Sequence, residues 1–313
     1  MVNGLNLLFQ FLDSFAFVVL AAAGLAIVFG IMGVINLAHG EFIMLGAYAT
    51  TLASVRFGLP LVAAMLVGMV VTALFGFAVE RVIISGAVPN AIGQRVAGRD
   101  LMEPLYDRLA DSMVATWGLS LIMIQGVRIT LGNSLDQIGT PLGKLTYVGF
   151  SYSMYRVVLS GVALGVLVLA YVVFTRTEFG MRARATIQDE DTARALGVDT
   201  ERTYAATFVI GSGLAGLTGA LYAPTVTMVP GLGGSFLVEA FVAVVVGGSS
   251  VVLGTALAGG FLGGINALVS NLLGTTAGRI ALLVTAIVMI RFLPDGITGI
   301  LKRVRARRQE GDA

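Results

Sequence analysis

The chain has 313 residues, of which 57% are hydrophobic and only 12% charged, about half the charge that a soluble domain of this length carries. Its mean hydropathy of +0.91 and pI near 9.0 describe a polytopic membrane protein whose excess arginines belong at a bilayer face, not on a nucleic-acid surface. With no cysteine and one histidine, disulfide frameworks, thiolate metal sites and histidine clusters are excluded.

A spanning helix takes about 20 apolar residues, so uncharged stretches mark the elements. Residues 14–35 and 57–79 each supply one span, while 42–55 is short for a full crossing. Residues 112–135 span if Arg128 lies near a membrane face, and 157–175 form another span. Residues 203–238 and 240–278 are each too long for one crossing, and 280–292 is a short last one. The expected fold is an all-α transmembrane bundle of about eight or nine spans with broken or re-entrant segments, forming a single domain over residues 1–313. The first Lys or Arg is Arg56, so no basic region precedes the first apolar segment, which is expected to remain as an anchor.

Orientation follows from where lysine and arginine collect, because positive residues are retained in the cytoplasm. Residues 81–111 hold Arg81, Arg95, Arg99 and Arg108, residues 176–202 hold five arginines, and the basic tail 302–313 holds five more Lys and Arg. These segments read as cytoplasmic. Residues 132–155, with Lys144 alone, and the uncharged 230–235 read as outward-facing. The N-terminus is then outside and the C-terminus cytoplasmic, which nine crossings satisfy.

Small residues recur every four positions at Gly211, Ala215 and Gly219, at Ser212, Gly216 and Ala220, and at Gly259, Gly263 and Ala267. That spacing lets helices approach closely in lipid, here read as packing within the chain ahead of a subunit interface. Glycines at breaks form a second class: Gly30, Gly33 and Gly40, and the run 247–250. Interrupted helices in transporters point to a pathway.

The segment 176–203 combines its arginines with six acids, Glu178, Asp189, Glu190, Asp191, Asp199 and Glu201. Acids at 189–191 favour a helix start before Thr192, Ala193 and Arg194, and Gly197 is placed as its C-cap. The expected product is a short cytoplasmic helix at the membrane face, either a solvated connector or a receiver of force from a cytoplasmic partner. The stretch INLAHGEFIMLG (35–46) carries the only His, Asp, Glu, Lys or Arg side chains between residues 14 and 55, His39 and Glu41. Two readings stand side by side. In one, Asn36 caps freed backbone groups, Gly40 supplies backbone freedom and Glu41 sits in the first turn of a new helix, all as a structural joint. In the other, the same joint lines a substrate pathway with His39, and Glu239 is a further intramembrane candidate.

GLAIVFGIMGVINLAHGEFIMLGAY (24–48), ATWGLSLI (115–122) and ARATIQDEDTARALGVDTERTYAATFVIGSGLAGLTGALYAP (183–224) resemble the Liv-type permeases of ATP-binding-cassette importers for branched-chain amino acids. The resemblance covers about residues 14–300. It implies that 176–203 is the coupling loop, with Asp191-Thr192-Ala193 and Gly197 matching the importer pattern Glu-Ala-Ala, three residues, Gly. The downstream Ile-x-Leu-Pro is absent. It also implies two cytoplasmic ATP-binding subunits that hold ATP and Mg, a second homologous permease, an extracellular or periplasmic substrate-binding protein, and a bacterial plasma-membrane location. GSFLVEAFVAVVVGG (234–248) resembles the urea and short-chain amide branch, which leaves substrate choice open. No cofactor is expected on this chain itself: the nearest approach to a phosphate-binding loop, GTPLGKL (139–145), has the wrong spacing and a leucine where the hydroxyl belongs. The rival of another class, a secondary transporter or channel, usually keeps several intramembrane charges for ion coupling, and this chain offers few.

Overall fold

The computed structural model describes residues 2–97, 100–106, 108–147, 150–248, 250–293 and 296–299. The basic tail 302–313, Arg99 and Ser249 lie outside the described residues. The architecture is all-α with one small hairpin. The helices are α1 Val2–Met32, α2 His39–Val55, α3 Leu61–Val79, α4 Ala87–Ala97, α5 Leu109–Leu131, α6 Met154–Arg176, α7 Glu178–Gln188, α8 Glu190–Ala195, α9 Thr200–Tyr222, α10 Leu232–Gly247, α11 Val251–Leu273 and α12 Thr275–Phe292. A π-helical turn, Glu80–Ile84, continues α3. Among the described residues, seven helices are long and apolar enough to cross a membrane: α1, α3 with its π turn, α5, α6, α9, α11 and α12. The apolar α2 and α10 are shorter, at 17 and 16 residues.

The chain divides into two compact units. One comprises residues 27–139 and 171–237, the other 1–26, 140–170 and 238–313. In the first, α2, α3 and α9 form a close-packed core whose seams are glycines. Along α3 and α9, Gly76 meets Ser212, Thr72 meets Gly216, and Gly68 meets Ala220, so the two helices run in opposite senses. Against α2, Gly46 meets Gly216, and a Cβ on Gly219 would fall 1.8 Å from the Ile43 carbonyl oxygen. The four-residue spacing read along α9 is thus used inside this chain, where absent side chains let backbones touch. Phe42 fills the centre against Phe75 and Phe208. Buried threonines here return their hydroxyls to carbonyls four residues back, as at Thr50, Thr51, Thr72 and Thr207, so no hydroxyl of these four faces lipid unpaired.

In the second unit, Gly259 and Gly263 of α11 lie against Val19 and Phe15 of α1, again a small-residue stripe used internally. Helix α10 ends at Gly247, within the glycine run read as a break: Gly248 takes φ +79, and Gly247 and Gly254 touch across the turn. Outside the helices, β1 Lys144–Tyr147 and β2 Phe150–Ser153 pair antiparallel, with Leu145 opposite Tyr152. Tyr152 stacks on Phe9 of α1 and donates to its carbonyl. Arg156 and Asp13 form an ion pair beside them. The hairpin is not among the features anticipated from sequence.

Candidate functional site

The break between α1 and α2 is an irregular stretch of the first unit whose backbone is held by hydrogen bonds. Helix α1 runs straight through Gly30 and ends at Met32, and Gly33 turns the chain at φ +63. Residues 33–38 are then extended or turned, and their backbone groups find partners on α5. Ile35 N–H reaches Ser112 Oγ at 3.4 Å and Leu37 N–H reaches Thr116 Oγ1 at 3.0 Å; Thr116 also lies 3.1 Å from the Ile35 carbonyl. Asn36 Oδ1 accepts the Ala38 N–H at 3.0 Å, and the Asn36 carbonyl accepts the His39 N–H at 3.2 Å. An interrupted helix is tolerated at membrane depth only when its freed groups are satisfied in this way.

Gly40 differs from expectation. It lies in the first turn of α2 with ordinary helical backbone, and Gly33, not Gly40, provides the left-handed turn. What Gly40 supplies is proximity: a Cβ there would sit 2.2 Å from the Gly233 carbonyl oxygen, at the start of α10. The α1–α2 break and the α9–α10 break therefore meet, Gly40 against Gly233. Next to that contact, Glu41 is buried, with the Ser120 hydroxyl near its carboxylate. Its second oxygen, Oε2, has no hydrogen-bond partner among the described residues. Asn36 and His39 are buried beside it in sequence.

Glu239 belongs to the second unit. There it pairs with Arg279 of α12 at 2.8 Å, while its side chain is 5% exposed. The sequence reading named no partner for Glu239. The residues that sequence reasoning missed are Ser112, Thr116 and Ser120. Their spacing of four places three hydroxyls on one stripe of α5, a pattern visible in the sequence but indistinguishable there from helix-packing serines.

The segment 176–203 folds as two short helices before α9, where sequence led to one. These two helices and α9 each begin on a side-chain cap: Thr177 accepts the Gly180 N–H, Asp189 the Thr192 N–H, and Asp199 the Arg202 N–H. Helix α8 starts at Glu190, two residues before the expected point, because Asp189 is the cap and Glu190 and Asp191 occupy its first turn. The backbone and side-chain bonds from Thr192 hold the Asp189 carboxyl below its ordinary value. At the other end Gly197 takes φ +88, with Gly197 N–H on the Arg194 carbonyl and Val198 N–H on the Ala193 carbonyl. This is a complete Schellman closure. Arg194 pairs with Glu190 at 2.6 Å, and Ala193 is buried, while Leu196 stands exposed.

A multi-pass helical membrane protein with two interrupted helices in contact and a capped surface helix has the parts of a transport protein's membrane subunit. The chain belongs to the family described as branched-chain amino acid transport system / permease component, which matches residues 7–293. It is 28% identical over 296 residues to the high-affinity branched-chain amino acid transport system permease protein BraD of Pseudomonas aeruginosa, covering 90% of this chain and 91% of that one. It is 29% identical over 295 residues to the corresponding permease LivH of Escherichia coli, covering 90% of each. A probable branched-chain amino acid transport permease LivH of Methanocaldococcus jannaschii is 26% identical over 296 residues, covering 90% and 88%. No solved structure matches.

Proposed function

We propose that this chain forms half of the translocation pathway of an ATP-driven importer of branched-chain amino acids. It would work in the bacterial plasma membrane beside a second, homologous permease, with two cytoplasmic ATP-binding subunits holding ATP and Mg and an external substrate-binding protein that does most of the selecting. Relatives named for branched-chain amino acids support this substrate over urea or short-chain amides, and the family of an ATP-powered system is favoured over an ion-coupled carrier. The chain itself supplies no ATP chemistry in this reading. Residues 176–203 carry α8, the coupling helix, with Asp191, Thr192, Ala193, Arg194 and Gly197 at its ATPase-facing end, and the N-terminus lies outside and the C-terminus in the cytoplasm.

The contact of Gly40 with Gly233 carries the pathway assignment. In a scheme of nine full crossings the α1–α2 turn would be cytoplasmic and the α9–α10 turn external, separated by roughly the 30 Å hydrocarbon core. Turns on opposite faces do not touch. At least one of α2 and α10 therefore starts within the membrane, as in transporters whose interrupted helices flank the cargo route. Asn36, His39 and Glu41 then offer hydrogen-bonding groups to a polar cargo, with Glu41 Oε2 as an acceptor for an ammonium group. Native mass spectrometry of the complex purified from its membrane tests the assembly. Two ATP-binding subunits on two different permease chains is the expected composition; a lone permease without ATPase would overturn it.

A further inference from the structure

Helix α8 has no route to the membrane core except through its neighbours, and one set of contacts leads there without a gap. Glu190, in the first turn of α8, uses both carboxylate oxygens. Arg194 holds Oε1 at 2.6 Å, and Tyr204 of α9 donates its hydroxyl to Oε2 at 3.0 Å. The Tyr204 ring, nearly fully buried, packs on the Tyr106 ring with centroids 4.5 Å apart and planes at 36°. Tyr106 in turn donates to Glu80 Oε1 at 2.6 Å. Glu80 is fully buried at the first residue of the π turn that prolongs α3. The backbone fixes the same place a second time, since Leu105 N–H bonds the Ile84 carbonyl at 2.8 Å.

Two features make this more than a packing contact. A π turn inside an apolar helix carries an extra residue, and such turns recur at functional sites. A buried carboxylate at the end of a membrane helix is costly unless paired, and here it is met by a phenol from a surface loop, with Arg81 Nε 3.4 Å from its other oxygen. Burial first, and then the bonded Glu80, push the Tyr106 phenol well above its ordinary value, so its hydroxyl stays protonated and remains a donor.

We propose that Tyr106 and Tyr204 are positioning residues for coupling: stacked between Glu190 and Glu80, they make α8 and the π-turn end of α3 move as one body. The proposal rests on the reading of α8 as the coupling helix. Force from an ATP-binding subunit against α8 then reaches α3, and with it the glycine seams that α3 shares with α2 and α9. Such a chain of packed side chains is a physical route for coupling only if breaking it changes the coupling itself.

The test uses the complete importer in proteoliposomes, with ATP hydrolysed per leucine taken up as the readout. Tyr106→Leu removes the stack and the bond to Glu80, Tyr106→Phe removes the bond alone, and Gly197→Val disrupts the end of α8. The expected ratio rises by about two- to tenfold in Tyr106→Leu, the range that one aromatic pair corresponds to, and by less in Tyr106→Phe, at unchanged content of complex. An unchanged ratio in Tyr106→Leu overturns the proposal. If Gly197→Val also leaves the ratio unchanged, the reading of α8 itself fails; if Gly197→Val raises it and Tyr106→Leu does not, only the tyrosine link fails. Should Tyr106→Leu not assemble, the cysteine-free chain permits spin labels at Met102→Cys and Leu196→Cys, both exposed. A label separation that holds through ATP binding and release is expected; a separation that changes with nucleotide overturns the proposal.

Discussion

Substitution of Gly197 isolates one structural cause. A Cβ at this position would meet nothing within 4 Å, so added bulk has room, while φ +88 is a conformation that side-chain-bearing residues rarely adopt. The cost is therefore backbone strain, about 1–2 kcal/mol for an ordinary L residue in the left-handed region, less for Asn and toward the upper end for a β-branched residue. Helix α8 has six residues and cannot form unaided. It depends on the Asp189 cap, the Gly197 closure and the buried Ala193, so losing about 1–2 kcal/mol shifts the population of the closed helix by about five- to thirtyfold. Uptake per ATP in proteoliposomes should rank Gly and Asn together, then Ala, then Val. Membrane insertion and complex yield should be unchanged across the series. A Gly197→Val importer with normal substrate-stimulated ATPase activity and normal uptake would refute the account of α8, and Asn as damaging as Val would show that φ is not the cause.

Gly219→Ala forces a Cβ onto the Ile43 carbonyl and should cost at least the about 1–3 kcal/mol of an overpacked core, seen as a lower unfolding temperature in detergent, whereas Gly118→Ala, with open space around it, should be silent. Arg279→Ala strands Glu239, and because the arginine side chain is 49% exposed the loss should fall below the about 3–5 kcal/mol of a fully buried pair; adding Glu239→Ala should recover part of it in the same unfolding assay. His39→Ala and Asn36→Ala should each lower uptake per assembled complex several-fold, corresponding to about 1 kcal/mol, and unchanged uptake in both would make the break a structural joint only. Because the Asp189 carboxyl is held below its ordinary value when folded, its cap contributes fully above the unfolded pKa and is lost as pH falls through the folded one. The protection factor of the Thr192 amide, its exchange relative to the intrinsic rate at each pH, should therefore stay constant from about pH 8 to 5 and fall only in more acid solution, a limb that Asp189→Asn should abolish.

What was legible in the sequence follows from local rules. Uncharged length marks the spans, acids at 189–191 with glycine at 197 mark α8, and paired glycines mark the turn after α10. Gly40 was misread because its role is not local: glycine as a hinge and glycine as a contact surface look alike until Gly233 is found against it. Glu239 and Arg279 are 40 positions apart on different helices, and no periodicity links them. The hydroxyl stripe of Ser112, Thr116 and Ser120 had the right spacing, but only the unwound residues 33–38 give Ser112 and Thr116 backbone groups to bind outside their own helix. Helix α7 lacks an apolar face long enough to announce itself, although Thr177 and Glu178 at its start are ordinary capping chemistry.

The central claim is tested most directly by uptake of labelled leucine into proteoliposomes holding this chain with its ATP-binding, second permease and binding-protein partners. Uptake is predicted to require ATP on the side of the ATP-binding subunits together with the binding protein, to be competed by isoleucine and valine but not by urea, and to persist when proton and sodium gradients are collapsed. Uptake that continues without ATP and disappears with an ion gradient would contradict it.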